Sequence, residues 1–375
     1  MPNKKIFIIA GEVSGDCLGA RIMCATPNAA FVGIGGENMI AAGLHPIFPM
    51  ADLAVMGVIE VLAHAKTLTK RIKQTINAII YEKPDLVLTI DSPGFAKSVV
   101  SGLKKTQDGQ ELINKGLKFH HVVAPQVWAW RPKRAKKIAT TFDKLYAFFD
   151  FEIPYFTKYG LDTIAVGHPI AENIIVKHHT DKTSDAKIIT FIPGSRMTEV
   201  KKLLPLFHDV MNMIHNCGYT NFKFVIPTVE TTDKYIRKQV STWNIKPEIT
   251  ASEHRYDLYS NTYIAIAASG TVSAELAMMH IPAIIVYKMN PLTVLIARLL
   301  IRVRWVSLVN ILLGHTVYPE LLGSDATTNN IMNEFSRLLI PANREKMIAE
   351  LKTADNMWRQ HNTDASQIIA QNILN

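Results

Sequence analysis

Glu275 follows Thr271 by four residues, just after Ser269-Gly270-Thr271 interrupts an apolar run. Four residues make about one helical turn, so hydroxyl and carboxylate share one face. A small-residue turn feeding a helix leaves backbone N–H groups unpaired at the positive end of the helix dipole, which suits an anion such as pyrophosphate. A carboxylate beside it can accept hydrogen bonds from a ribose diol. An ordinary helix with a Ser cap and an early Glu would carry the same residues. A second turn, Pro193-Gly194-Ser195-Arg196, adds a guanidinium whose forked donors fit phosphate. Asp91 closes the apolar run 85–90. Ligands of parallel sheets bind outside strand carboxyl ends, so a carboxylate there is placed for chemistry; capping a helix that starts near Pro93 is its other reading. Ser14 and Asp16 occupy a comparable turn, Gly11–Asp16, and Gly33, Gly35 and Gly36 allow close approach to backbone.

Alternating elements must position these groups. Around the first turn, Tyr263–Ala268 reads as a strand, Val272–His280 as a helix ended by Ile281-Pro282, and Ala283–Tyr287 as a second strand. That order is a βαβ unit with parallel strands. Earlier strands are expected at Lys5–Ala10, Phe31–Gly36, Asp85–Ile90, Phe119–Ala124, Lys144–Phe148 and Thr163–Val166. A helix spans about Gly15 to Ala25, and a long one spans Val58–Tyr81. Ile175–Lys187 is polar and aperiodic, which marks a linker. Beyond it come strands at Ile188–Ile192, Phe222–Ile226 and Glu248–Ala251, with Pro205 in the first turn of a helix. After Asn310 the chain reads as helical. The fold class is α/β, with two Rossmann-like domains facing a cleft. The domains are 1–174 and 187–345, and 346–375 forms C-terminal helices packing back on the first domain.

The chain has 375 residues, enough for two cores. A formal charge of +9 suits an anionic partner, but the basic residues are scattered and no zinc spacing appears, so nucleic acid is not expected. Three cysteines make neither a disulfide framework nor a metal signature. Lys5–Ala10 is too short for a signal-peptide apolar region, and no run approaches a membrane span. Two stretches suit a lipid surface instead. Pro49–Ala65 is apolar where a loop must lie, with Val55, Met56 and Val58 outward; Pro291–Trp305 sets Arg298, Arg302 and Arg304 among aliphatics. A core helix is the competing reading of each.

Several motifs together carry a resemblance: AGEVSGD (10–16), VGIGG (32–36), MGVIEVL (56–62), DSPGF (91–95), PQVWAWR (125–131), VGHP (166–169), PGSR (193–196), SGTVSAE (269–275) and NILLG (310–314). The chain resembles the lipid-A-disaccharide synthases, GT-B glycosyltransferases, nearly end to end. PGSR and SGT are shared by many nucleotide-sugar enzymes; PQVWAWR with AGEVSGD is more specific. Gly94, Lys97, Val309 and Gly323 depart from the family's pattern.

The resemblance implies transfer of a diacylglucosamine from its UDP donor to a diacylglucosamine 1-phosphate. The product is a β-1,6-linked disaccharide, formed with inversion and without metal or cofactor. It further implies that Gly194, Ser195, Arg196, Ser269, Gly270 and Thr271 take the pyrophosphate and Glu275 the ribose. Asn310 joins the nucleotide-sugar set, and Ser14, Asp16 and Asp91 serve catalysis, Asp91 as the base. The implied location is cytoplasmic and peripheral to the inner membrane, on an anionic surface; a homodimer is allowed. A different UDP-sugar transferase or a UDP-sugar epimerase would share the C-terminal logic. A two-lobed binding protein would usually be exported. A nicotinamide oxidoreductase would want GxGxxG, which GEVSGD lacks.

Overall fold

The computed structural model describes residues 4–53, 65–129, 132–172, 174, 187–288, 304–359 and 363–374. Two compact units result: Met1–Pro169 with His361–Asn375, and Ile170–Gln360. Val55, Met56, Val58, Trp130, Arg131, Arg298 and Arg302 lie outside the described residues, as does most of the expected linker.

In the first unit, β1 Lys5–Ala10, β2 Ala30–Ile34, β3 Leu86–Ile90, β4 Lys118–Val122, β5 Lys144–Ala147 and β6 Asp162–Ala165 form a parallel sheet ordered β2-β1-β3-β4-β5-β6. The apolar runs have a direct cause. A parallel sheet is covered on both faces, so successive side chains are buried alternately above and below. Phe7 and Ile9 join one core layer with Val87 and Phe119, while Ile6 and Ile8 join the other with Leu86 and Leu88. Helix Ala365–Leu374 sets Ile369 and Ile373, one turn apart, into that second layer. The segment 346–375 is thereby split. Helix Pro341–Trp358 packs on helix Thr271–Met278 within the second unit, and only His361 onward returns to the first.

The second unit's sheet runs β12-β11-β10-β7-β8-β9, all parallel. Its strands are β7 Lys187–Ile192, β8 Phe222–Thr228, β9 Glu248–Ala251, β10 Thr262–Ala268, β11 Ala283–Tyr287 and β12 Glu320–Leu322. β12 interrupts a region read as helical; at three residues it is too short to show a period. Pro205 sits in the interior of helix Met197–Asn216 rather than in its first turn. Among the described residues, no helix is long and apolar enough to cross a membrane.

Each sheet changes winding direction once. β1 has β2 on one side and β3 on the other; β7 has β8 and β10. Loops leaving the carboxyl ends of such neighbours diverge and open a crevice. In the first unit those loops carry Gly11–Asp16 and Asp91–Phe95, and in the second Pro193–Arg196 and Ser269–Thr271.

Candidate active site

The second unit's crevice is a pocket of about 260 Å³, near the lower end of small-molecule sites. Gly194, Ser195, Arg196, Ser269, Gly270, Thr271 and Glu275 all line it. Two of the glycines are there for backbone reasons. Gly194 has φ +97, and a Cβ on it would stand 2.5 Å from Glu199 Oε2. Gly270, at φ 155 and ψ −161, holds a conformation open essentially to glycine alone and caps helix Thr271–Met278 without a side-chain hydrogen bond. Arg196 pairs with Glu199 at 3.1 Å from the start of helix Met197–Asn216.

Glu275 is buried on the pocket side of its helix. Its Oε1 accepts a hydrogen bond from the Tyr256 hydroxyl at 3.1 Å and faces Arg255 Nε at 3.4 Å. Burial raises the carboxyl's pKa, and Arg255 and Tyr256 oppose that rise.

Asn310 is not in this pocket. It is fully buried, and its amide is committed internally. Nδ2 donates to the Tyr318 carbonyl and to Glu320 Oε1, both at 2.8 Å, while Oδ1 accepts from the Val317 and Tyr318 amides at 2.8 and 2.9 Å. Both amide protons and both lone pairs are used, so Asn310 clasps β12 to helix Leu308–Leu313 and has no group left for a ligand.

In the first unit, Asp91 and Ser14 come together: Ser14 Oγ donates to Asp91 Oδ2 at 3.4 Å. Asp91 and Ser92 have φ +56 and +45, a left-handed pair at the strand end, and the Asp91 amide is tied to the Val122 carbonyl at 2.6 Å. A Cβ on Gly11 would collide with Ser92, so these two turns fit together only around a glycine. Helix Pro93–Leu103 begins after Ser92 with no side-chain cap; Asp91 therefore does not cap it. Burial pushes the Asp91 carboxyl up to about 6, Glu12 adds a like charge in the same direction, and the Ser14 hydrogen bond opposes both. A carboxylate poised near neutrality and aimed out of a strand end can take a proton from a hydroxyl.

Asp16 has a different job. Buried, it accepts from the Gly36 amide (2.7 Å), the Asn38 amide (3.0 Å), the Asn38 side chain (2.8 Å) and the Met39 amide (3.1 Å). Four donors on one carboxylate make it the N-terminal anchor of helix Glu37–Ala41, and the expectation of a catalytic role is corrected on that ground. Trp128, from PQVWAWR, donates to the buried Glu152 at 3.0 Å, and burial moves that carboxyl up to about 7. His168, from VGHP, packs on Phe148 at 4.8 Å, and burial moves it down to about 4, neutral at pH 7. Arg304 is exposed and lies over the Trp305 ring.

Residues 6–373 match the family described as Lipid-A-disaccharide synthetase. A lipid-A-disaccharide synthase from Rhodospirillum centenum is 38% identical, covering 99% of this chain and 94% of that one. The chain belongs to the lipid-A-disaccharide synthase family. Its members are glycosyltransferases, and the two Rossmann-like units are the GT-B architecture. Solved structures agree on the fold. UDP-GlcNAc 2-epimerase from Neisseria meningitidis superposes with TM-score 0.63 at 15% identity, covering 99% of each chain. MurG from Acinetobacter baumannii gives 0.60 at 12%, covering 100% of this chain and 99% of that one.

Within this family member, four groups beside the expected residues escaped sequence reading: Glu12, Glu199, Arg255 and Tyr256. Glu199 had a signal, since it stands three residues past Arg196 at the start of a helix. Arg255 and Tyr256 had none; they reach Glu275 from a short helix after β9.

Proposed function

We infer that the chain joins UDP-2,3-diacylglucosamine to 2,3-diacylglucosamine 1-phosphate, giving the β-1,6-linked disaccharide 1-phosphate and UDP. Family membership over residues 6–373 supports the reaction. The observation that carries the mechanism is Asp91, a half-buried carboxylate at a strand end, held near 6 and accepting a side-chain hydrogen bond from the exposed Ser14 hydroxyl. Asp91 takes the proton of the acceptor's 6-hydroxyl as that oxygen bonds to the donor's anomeric carbon. The bond to the diphosphate breaks with inversion, and its electron pair leaves with UDP. Arg196 and the amides around Gly194, Gly270 and Thr271 meet the charge that grows on the diphosphate. Glu275 accepts from the ribose diol. Incubating the purified protein with both lipids and weighing the products tests the reaction: a disaccharide 1-phosphate with stoichiometric UDP is expected, and release of free sugar with UDP would overturn transfer.

The enzyme works at an anionic membrane surface without spanning it. Both lipids keep their acyl chains in a bilayer, and the sequence offers an apolar stretch near Val55, Met56 and Val58 and a basic one with Arg298, Arg302 and Arg304. Each basic residue near such a surface contributes about 1 kcal/mol, which salt screens, whereas apolar contact survives salt. Sedimentation with anionic vesicles should fall, without vanishing, as salt rises; absence of binding at low salt would overturn this part.

A further inference from the structure

Glu275 is the buried carboxylate of the pocket, and burial alone would favour its protonated form, which accepts poorly from a diol. Two side chains from helix Arg255–Ser260 counter this. The Arg255 guanidinium lies over the Tyr256 ring, 4.4 Å from its centroid, and one of its terminal nitrogens donates to the Tyr256 hydroxyl at 3.0 Å. That hydroxyl in turn donates to Glu275 Oε1 at 3.1 Å, and Arg255 Nε faces the same oxygen at 3.4 Å. Both contacts converge on Oε1.

We propose that Arg255 and Tyr256 are positioning residues, which hold the Glu275 carboxylate in place through Oε1 and offer Oε2 to the ribose diol of a bound nucleoside diphosphate. The proposal rests on the nucleotide reading of this pocket. Tyr256 fixes the direction of the carboxylate, and Arg255 supplies the charge that opposes the effect of its burial. The stack on Tyr256 fixes the guanidinium, so the charge reaches Glu275 at a set distance. Tyr259, also on that helix, lines the pocket and is held well above the ordinary tyrosine range by burial. It stays neutral and does not compete. Across the pocket stand Arg196 and Glu199, paired with each other. Behind the Glu275 helix, Pro341–Trp358 brings Asp355, which is engaged by His280 and Arg359.

Calorimetric titration of UDP into the full-length protein between pH 5.5 and 8.5 tests this with Arg255→Gln, Arg255→Lys, Tyr256→Phe, Glu275→Gln and the double variant Arg255→Gln/Glu275→Gln. Each affinity is read as a ratio to wild type at the same pH, so that titration of UDP's own terminal phosphate cancels. Arg255→Gln should bind about tenfold more weakly at the acid end and recover as pH rises and Glu275 ionises unaided. Arg255→Lys should restore most of the affinity at low pH. The double variant should bind no more weakly than Glu275→Gln alone. A pH-independent loss in Arg255→Gln that persists in the Glu275→Gln background would overturn the proposal, because Arg255 would then contact the ligand itself. Wild-type affinity of Arg255→Gln at every pH would overturn it too. Normal UDP binding by Glu275→Gln would instead remove the ribose role, a failure of the underlying reading. If Arg255→Gln does not fold, Tyr256→Phe keeps the test open: unchanged affinity there overturns the aiming role.

Discussion

The two crevices are built by one rule and furnished in opposite ways. In each, a glycine-bearing turn after the first strand faces a second turn across the place where strand order reverses. In the second unit the turns leave backbone and two arginine–carboxylate pairs, Arg196–Glu199 and Arg255–Glu275, facing an open pocket. In the first, the turns close on each other: Gly11 fits under Ser92, and Asp16 takes three amides and a side chain around Gly36. What stays outward there is a carboxylate with a like-charged neighbour, Asp91 beside Glu12. On the proposed reading, one crevice holds an anion and the other presents a proton acceptor. The difference is electrostatic, and it predicts different failures.

The largest effect is expected at Asp91. Asp91→Asn removes the proton acceptor and should cut turnover by roughly two to four orders of magnitude while UDP affinity stays unchanged. Single-turnover kinetics beside UDP calorimetry separates the two. Near-normal turnover would leave the first crevice without its distinguishing role.

Asp16, two residues from Ser14 on the same helix, should fail in the other way. Asp16→Ala leaves the buried Met39 amide and the half-buried Gly36 amide without an acceptor, the buried one costing about 1–3 kcal/mol of stability. Thermal or denaturant unfolding should show that loss, while the acid limb of the pH profile, set by Asp91, stays where it was. A moved limb would mean that Asp16 acts on the chemistry.

These two aspartates also show how far the sequence could be read. The strands were legible because a sheet covered on both faces makes each strand an uninterrupted apolar run, as in Leu86–Ile90 and Thr262–Ala268. The turns were legible because glycine beside Ser, Thr or Arg is visible in the letters. Asp16 and Asn310 misled because their partners lie outside their own helices. Asp16 looks like a cap for its own helix, yet its partners begin twenty residues on, at Gly36. Asn310 is the polar residue that opens NILLG, yet its amide is spent on Val317, Tyr318 and Glu320. Arg255 was hidden for the same reason: nothing in the order of residues brings helix Arg255–Ser260 against Glu275. Pro205 tells the converse, since packing of Leu203, Leu204, Leu206 and Phe207 keeps a helix running through a residue that would locally end it.

In the second crevice, Glu275→Gln keeps shape and removes charge. UDP affinity should fall by about 1–3 kcal/mol, the range for a hydrogen bond to a charged group, with turnover at saturating donor changed less than affinity. Calorimetry in a normally folded variant measures it. Loss of turnover with intact affinity would move Glu275 from holding the nucleotide to the chemical step.

The smallest and sharpest effect concerns how Asp91 is tuned. A base must be deprotonated to act, so kcat/KM should fall as pH drops through about 6, where the folded protein holds this carboxyl. Glu12 raises that value by like charge, because an anion nearby disfavours ionisation of Asp91. Glu12→Gln removes the anion, so Asp91 ionises more readily and the acid limb moves to lower pH. Ser14 donates to the ionised form and lowers the value. Ser14→Ala therefore moves the limb to higher pH. Burial is the largest cause of the rise and neither variant changes it, so each shift should stay below one unit, less than about 1.4 kcal/mol. The signs carry the test. Opposite displacements in the two variants, read from kcat/KM between pH 4.5 and 8, require that one carboxylate sits between Glu12 and Ser14 and limits the rate. Displacement of both limbs in one direction, or of neither, would mean that the titrating group is elsewhere.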